Sequence, residues 1–305
     1  MCFFSYLFLC IISVEPFHQN RALTPMTSLA PLPVRTLLRE GTHSVALPPV
    51  AILAGGLGIW PAEETDPTPK SLVEIGGRAV LWHVMRHYYR YGMSEFVVAL
   101  GSKRAALIRY FLDLHAADRD LTVHTRDGSV EFHDGNSANL DWTVHLIDTR
   151  PGTLSGGRIK RLAPYVGKST FMLTRSDRLS DVNLSDLLAF HRAHGKLATV
   201  VTARSPSQLG HLDIGTDNVV HRLHNEANSD TWINAAFFVL EPGIFDYIAG
   251  DFTVWEHESL KELIADGELV AYRHAGFMHS MDTPRDKRLL EELWNSGNAP
   301  WKVWD

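Results

Sequence analysis

Cysteine is almost missing from this sequence. Its two residues, Cys2 and Cys10, both lie at the extreme N-terminus. The body of the chain therefore has neither a disulfide framework nor a cysteine-based zinc site. A chain that gains nothing from oxidation fits a reducing compartment, and a cytoplasmic location is expected. An excess of basic residues is missing too: Lys+Arg 29 against Asp+Glu 35 leave a net charge of −6. That excludes the electrostatic footprint of a nucleic-acid or anionic-membrane binder, so neither is expected as a partner. Any phosphate the protein binds must be held by a local site.

Long apolar runs are also lacking. Cys2 to Val14 (CFFSYLFLCIISV) is nearly pure apolar, yet a membrane-spanning helix takes ~20 residues. The run has the length of a signal-peptide core, but no Lys or Arg precedes it and no small-x-small cleavage site follows. An over-extended chain start, with Met26 as an alternative initiator, is the preferred reading. From there to about Leu47 the sequence is irregular, with Pro16, Pro25, Pro31 and Pro33. Residues 1–47 are expected to stand outside the fold, and residues 48–305, which no linker divides, to form one domain.

What is present is an ordinary globular composition, 45% hydrophobic and 21% charged over 305 residues. VAILA (Val50 to Ala54) reads as a buried parallel strand, and Glu95 to Leu100, Thr143 to Ile147, Phe171 to Leu173, Ala198 to Ala203 and Ile233 to Leu240 as further strands. Helical spacing covers Ala79 to Tyr91, Lys103 to Leu114, Leu184 to His194 and Leu260 to Asp266. The alternation predicts an α/β fold with a mostly parallel sheet covered on both faces.

Such sheets bind ligands beyond the carboxyl ends of their strands. The first strand ends in AGGLG (Ala54 to Gly58), where glycines allow backbone N–H groups to approach a phosphate. Pro61 stands where a dinucleotide fingerprint needs its third glycine, and no Gly-Lys-Ser/Thr follows, so a Walker A loop is excluded. A tight structural turn remains the equal alternative. Lys70 follows in the next loop, and SGGRIKR (Ser155 to Arg161) joins glycines to cations, though a basic turn explains it as well. Asp177 and Asp282 each follow an apolar strand-like stretch. Two carboxylates can hold Mg²⁺, which completes its shell with water and phosphate oxygens. The 16 His show no metal-ligand spacing. Trp294, Trp301 and Trp304, beyond the last helix read above, suit packing or a subunit contact better than ligand stacking, and a homo-oligomer is compatible with them.

Order and wording then point further. LAGGLG, EET (Glu63 to Thr65), PKSLVEIGG (Pro69 to Gly77), LWHVM (Leu81 to Met85), SGGRIKR, INAAFFVLEPG (Ile233 to Gly243), MDTPRDKRLLEELW (Met281 to Trp294) and the terminal APWKVW together resemble the sugar-1-phosphate nucleotidyltransferases. The narrower likeness is to the glucose-1-phosphate cytidylyltransferases. This resemblance implies a Rossmann-like three-layer α/β/α domain with a mostly parallel mixed sheet. It also implies a nucleoside triphosphate, CTP, and a sugar 1-phosphate, glucose 1-phosphate, as substrates, yielding CDP-glucose for polysaccharide assembly. Carried over, Leu53, Ala54, Gly55, Gly56 and Gly58 would cradle the nucleotide, with Gly156 and Gly157 lining it. Lys70 and Arg158 would sit on the phosphates. Asn234 would approach the sugar phosphate, and Asp177 and Asp282 would hold Mg²⁺.

The sequence departs from that pattern at anion-binding positions. Where the family's glycine loop continues Gly-Thr-Arg-Leu, this chain has Gly58-Ile59-Trp60-Pro61. The family's Tyr-Gly-Asp-Gly appears as Arg175-Ser176-Asp177-Arg178, which sets arginines beside the metal aspartate. Its Glu-Lys-Pro has no counterpart lysine in His224-Asn225-Glu226-Ala227, and Asn234-Ala235-Ala236 replaces Asn-Gly-Gly. The alternative reading is accordingly a non-catalytic nucleotide-sugar-binding homologue.

Overall fold

The computed structural model describes residues 47–55, 68–117, 120–133, 140–204, 211–215, 217–224 and 232–305. Residues from Ala46 to Asp305 form one compact unit. The expectation for the N-terminal extension falls outside the described residues.

In chain order the elements begin with β1 (Val50–Leu53), the short pair β2 (Glu74–Ile75) and β3 (Arg78–Ala79), α1 (Val80–Arg90), β4 (Glu95–Leu100) and α2 (Arg104–Ala117). A hairpin of β5 (Leu121–His124) and β6 (Ser129–Phe132) precedes β7 (Thr143–Asp148) and α3 (Ser155–Val166). Then come β8 (Phe171–Arg175), β9 (Arg178–Ser180), α4 (Leu184–His194) and β10 (Ala198–Arg204). The chain continues through β11 (His211–Ile214), β12 (Val220–His224), β13 (Trp232–Leu240) and α5 (Leu260–Ala265). It ends with β14 (Leu269–His274), β15 (Met278–Ser280) and α6 (Pro284–Asn295). The helix α6 contains Trp294, which therefore lies within a helix rather than beyond the last one.

The main sheet has nine strands. β8, β1, β4 and β7 run parallel, β13 is antiparallel to β8 and β10, and β14 pairs parallel with β10. The sheet is mixed and mostly parallel, as the alternation required. Its strands alternate between two cores. Val50, Ile52, Phe96, Val98 and Leu100 face one core, with α1, α4 and Leu290 of α6. Ala51, Val97 and Ala99 face the other, with Ile159 and Leu162 of α3 and Leu260 and Leu263 of α5. This is the three-layer α/β/α arrangement. Against β10, a single residue, Val201, stands opposite three residues of β13, because Val200 pairs with Phe238 and Thr202 with Asn234. This bulge holds Ala236 at φ 60, a left-handed conformation uncommon for a residue with a side chain.

The C-terminal tryptophans fill the first core. Trp301 and Trp304 are buried, and His83 of α1 lies against the rings of Trp294 and Trp301. His83 Nε2 donates to the Ile75 carbonyl at 2.8 Å, leaving Nδ1 to accept from Trp301 Nε1 at 3.5 Å. That tautomer leaves no place for a second proton. Packing within the chain accounts for Trp301 and Trp304.

Burial pushes the His83 imidazole down to about 4 and, independently, that of His87 to about 4. Both are fully enclosed. Between pH 6.5 and 4 the unfolded chain takes up protons at these rings and the folded chain does not, so stability must fall as pH falls through that window. Each ring contributes on the order of 2–3 kcal/mol over the full window. Thermal unfolding followed across pH 7 to 4 should show the loss, and His87→Gln should flatten its slope.

Candidate active site

The carboxyl ends of β1, β4 and β8 open into a cleft of about 600 Å³, walled by Leu53, Ala54, Gly55, Lys70, Ser102, Lys103, Thr153, Ser155, Arg158, Arg175, Asp177 and Glu256 among others. Six separate stretches meet here because each follows a strand or begins a helical turn at the same edge.

Arg158 forms the floor. It enters from the first turn of α3, is 7% exposed, and donates from Nε to the Thr153 carbonyl at 2.8 Å. One terminal nitrogen, Nη1, is buried with no partner among the described residues. Burial pushes its affinity for a proton below the ordinary value. Gly55 and Gly101 make the slot. A Cβ on Gly55 would stand 2.0 Å from Arg158 Nη1 and 2.5 Å from the Gly101 amide nitrogen. The glycine after the first strand is thus required by a guanidinium of its own chain. Of the cradle residues, Ala54 has already committed its N–H to the Ala99 carbonyl at 3.2 Å. Gly56 and Gly58 lie outside the described residues, as do Trp60 and Asn225 to Ala227.

Lys70 opens a short 3₁₀ turn (Lys70–Leu72) and reaches Asp282 Oδ1 at 2.7 Å. The next side chain, Ser71, shares a 2.7 Å hydrogen bond with Ser176 and so ties this turn to the one that carries Asp177. Asp282 is placed by the start of α6. Thr283 and Asp286 form a reciprocal capping box with Pro284 in the first turn, and Asp286 also accepts from the Asp282 N–H at 3.1 Å. Burial works against charge on Asp282. The bonds from Lys70 and Ser280 and the nearby Arg178 charge outweigh it and hold its carboxyl at about 2.

Asp177 sits in the turn between β8 and β9, and its carbonyl accepts from the Met281 N–H at 2.9 Å. β9 also pairs with β15, matching Arg178 with Ser280. These two links bring the expected metal aspartates to adjacent strand ends. Arg175 Nε lies 3.3 Å from Asp177 Oδ1 and Arg178 Nε 3.8 Å from the same oxygen. The departure at Arg178 therefore does put a cation on Asp177, but Arg175 is the nearer of the two. Asp177, Glu256 and Asp282 together raise the proton affinity of Arg175, Asp177 most.

Three expected residues sit differently. Gly156 and Gly157 do not line the cleft. They are buried, and a Cβ on them would meet Thr253 O at 2.8 Å and Asp251 Cα at 2.5 Å. Their small size lets the 251–253 loop lie on the start of α3. Asn234 is not on the wall either; its Oδ1 accepts from the Ala236 N–H at 2.7 Å and supports the bulge. Conversely, Ser102, Lys103, Glu256 and His257 line the cleft without having been read from the sequence. Ser102 and Lys103 follow the strand Glu95–Leu100 after one glycine, a signal that was available. Glu256, which accepts from Ser155 Oγ at 2.5 Å, carried none. Among the described residues no set of three His, Cys, Asp or Glu side chains surrounds a metal-sized space, and no helix is long and apolar enough to cross a membrane.

Gly55→Ala should displace Arg158 or part β1 from β4, costing on the order of 1–3 kcal/mol. Gly250→Ala, where an added Cβ meets nothing within 4 Å, should leave stability nearly unchanged. Parallel denaturant titrations of the two variants provide the check.

No family model matches the chain. The glucose-1-phosphate cytidylyltransferase of Salmonella typhimurium is 40% identical over 255 residues, covering 83% of this chain and 98% of the relative. The probable glucose-1-phosphate cytidylyltransferase of Bacillus subtilis is 39% identical over 254 residues, with the same coverage. Among solved structures, HddC from Yersinia pseudotuberculosis in complex with GMP-PN superimposes with a TM-score of 0.65 at 20% identity, covering 81% of this chain and all of that one. An apo UDP-glucose pyrophosphorylase does so with a TM-score of 0.63 at 13% identity, and these two likenesses concern the fold. At 40% identity along almost the full length of its relative, the chain belongs to the glucose-1-phosphate cytidylyltransferase family.

Proposed function

We propose that this chain joins CTP to glucose 1-phosphate, releasing pyrophosphate and giving CDP-glucose, a nucleotide sugar for polysaccharide assembly. The observation that carries the reading is a strand-end cleft floored by the buried Arg158 guanidinium, one nitrogen of which has no partner among the described residues, in a chain 40% identical to a named glucose-1-phosphate cytidylyltransferase. A cleft of about 600 Å³ is of the size that encloses a small polar ligand.

In the proposed reaction a phosphate oxygen of the sugar attacks the α-phosphorus of the nucleotide. A new P–O bond forms, the bond to the bridging oxygen breaks, and the electron pair leaves with pyrophosphate. Such transfers need positioning and charge neutralisation more than covalent chemistry from the protein. Arg158, fixed by Thr153 and the two-glycine slot, is a preorganised charge in the cleft wall for a phosphate. Lys70 is a mobile point charge able to pass from Asp282 to a phosphate.

Magnesium belongs to the proposal. Asp177 and Asp282 are hard oxygen donors at adjacent strand ends, which suits an ion that keeps water and takes phosphate oxygens. When bound, it would neutralise charge on the phosphates. The present partners of both carboxylates, Lys70 and the two arginines, must yield first.

Four nucleoside triphosphates set against several sugar 1-phosphates, with magnesium present and pyrophosphate release as readout, provide the test. CTP with glucose 1-phosphate should be fastest. Asp177→Asn or Asp282→Asn should lower turnover by at least about 100-fold with the fold retained. A preference for UTP or dTTP would overturn the choice of base while keeping nucleotidyl transfer. No release from any pair would overturn the enzyme and leave a binding homologue.

A further inference from the structure

The cleft carries more positive charge than its own carboxylates can absorb. Its walls hold Lys70, Lys103, Arg158 and Arg175 against Asp177 and Glu256. Arg175 differs from the others in how it is held. Its backbone ends β8, a central strand paired with β1 and β13, so the origin of the side chain is rigid. Its guanidinium, 40% exposed, rests between two acids at loose distances, 3.3 Å to Asp177 and 4.0 Å to Glu256. A bidentate arginine–carboxylate pair closes to 2.7–2.9 Å. Arg161 and Asp251 on the outer surface of α3 form such a pair, at 3.0 and 2.6 Å. Arg175 is therefore tethered inside the cleft without being consumed there.

We propose that Arg175 is a nucleotide-phosphate ligand of this chain and that it couples phosphate binding to divalent-cation binding through Asp177. This rests on the functional reading above. With no phosphate present the guanidinium screens the Asp177 carboxylate, so a divalent cation meets a neutralised acid. A bound polyphosphate offers Arg175 a stronger bidentate acceptor and draws it away from Asp177. The freed carboxylate then accepts the cation, and the cation in turn strengthens phosphate binding, since coupling between two sites is reciprocal. The charge balance runs the same way. Asp177 and Glu256, with Asp282 already on Lys70, face a surplus of cations and make a poor cation site until phosphates arrive. Arg178, 12% exposed, has no hydrogen bond on Nε among the described residues and, at 3.8 Å from Asp177, gives the acid a looser second cation.

Inorganic tripolyphosphate and Mn²⁺ are the probes, because neither depends on which base or sugar the enzyme prefers. Tripolyphosphate affinity is measured by calorimetry with and without Mn²⁺, and free-protein Mn²⁺ affinity by electron paramagnetic resonance. Wild type should bind Mn²⁺ weakly alone and at least about tenfold more tightly with tripolyphosphate. In Arg175→Ala, tripolyphosphate affinity without metal should drop about tenfold, Mn²⁺ affinity of the free protein should rise several-fold, and the coupling factor should shrink toward one. Arg175→Lys, which keeps the charge and loses the fork, should fall between. Unchanged affinities in Arg175→Ala, or a loss of thermal stability alone, would overturn the proposal and leave Arg175 a structural residue. Failure of the CTP and glucose 1-phosphate assay with these results intact would count against the substrate assignment only.

Discussion

The Arg158 guanidinium is held 7% exposed with one nitrogen unpartnered among the described residues, and much of the cleft follows from that placement. An unpaired buried charge destabilises the fold by several kcal/mol unless something offsets it. Here the Thr153 carbonyl takes Nε. Two glycines from different strand ends, Gly55 and Gly101, clear the space around the fork. Two further glycines on α3, Gly156 and Gly157, let the 251–253 loop seat on the same helix turn. Four of the chain's glycines thus serve one arginine and the helix that carries it. The cost is tolerable in a fold with two full cores, and it leaves a fixed cation in the cleft wall before any ligand enters.

The same logic explains the ion pairs. Lys70 with Asp282 is a partly exposed pair, whereas Arg175, 40% exposed, meets the buried Asp177. The first contributes little to stability, because partly exposed pairs do so in general. Their common effect is to keep cations and carboxylates at fixed strand ends in forms that a polyanion can rearrange. The capping box of α6 and the β9–β15 ladder do the positioning from below.

Much of this was legible in the sequence. Glu95–Leu100 and Leu184–His194 match the structure residue for residue, since continuous apolar runs and glycine stops leave few alternatives. Lys70, Arg158, Asp177 and Asp282 were found through motif wording, and the structure brings them to one edge. What the sequence concealed was direction. SGGRIKR reads as glycines beside cations. Whether the glycines face a ligand or a neighbouring loop depends on a helix that Pro164 and two glycines disguise. The short strands β9 and β15 have no period of their own and form by pairing with each other across the sequence. Lys103 was available to the strand-end rule and passed unread, whereas Glu256 comes from a π-turn (Trp255–Ser259) that no local pattern announces.

The departures from the family pattern concentrate at anion-binding positions, and the structure gives one of them an order. Ala236 holds φ 60 where the resemblance expects glycine, at a cost of order 1–2 kcal/mol. A backbone that keeps this conformation with a side chain in place must be held by its surroundings. At Ala236 those are the Asn234 side chain and the β10 pairing. The scaffold therefore dictates cleft geometry more strongly than the individual residues do. In such a site a cation can change address without the cleft changing shape. An arginine on a paired central strand starts from a better-defined position than one on a loop, so less ordering is needed when its ligand binds.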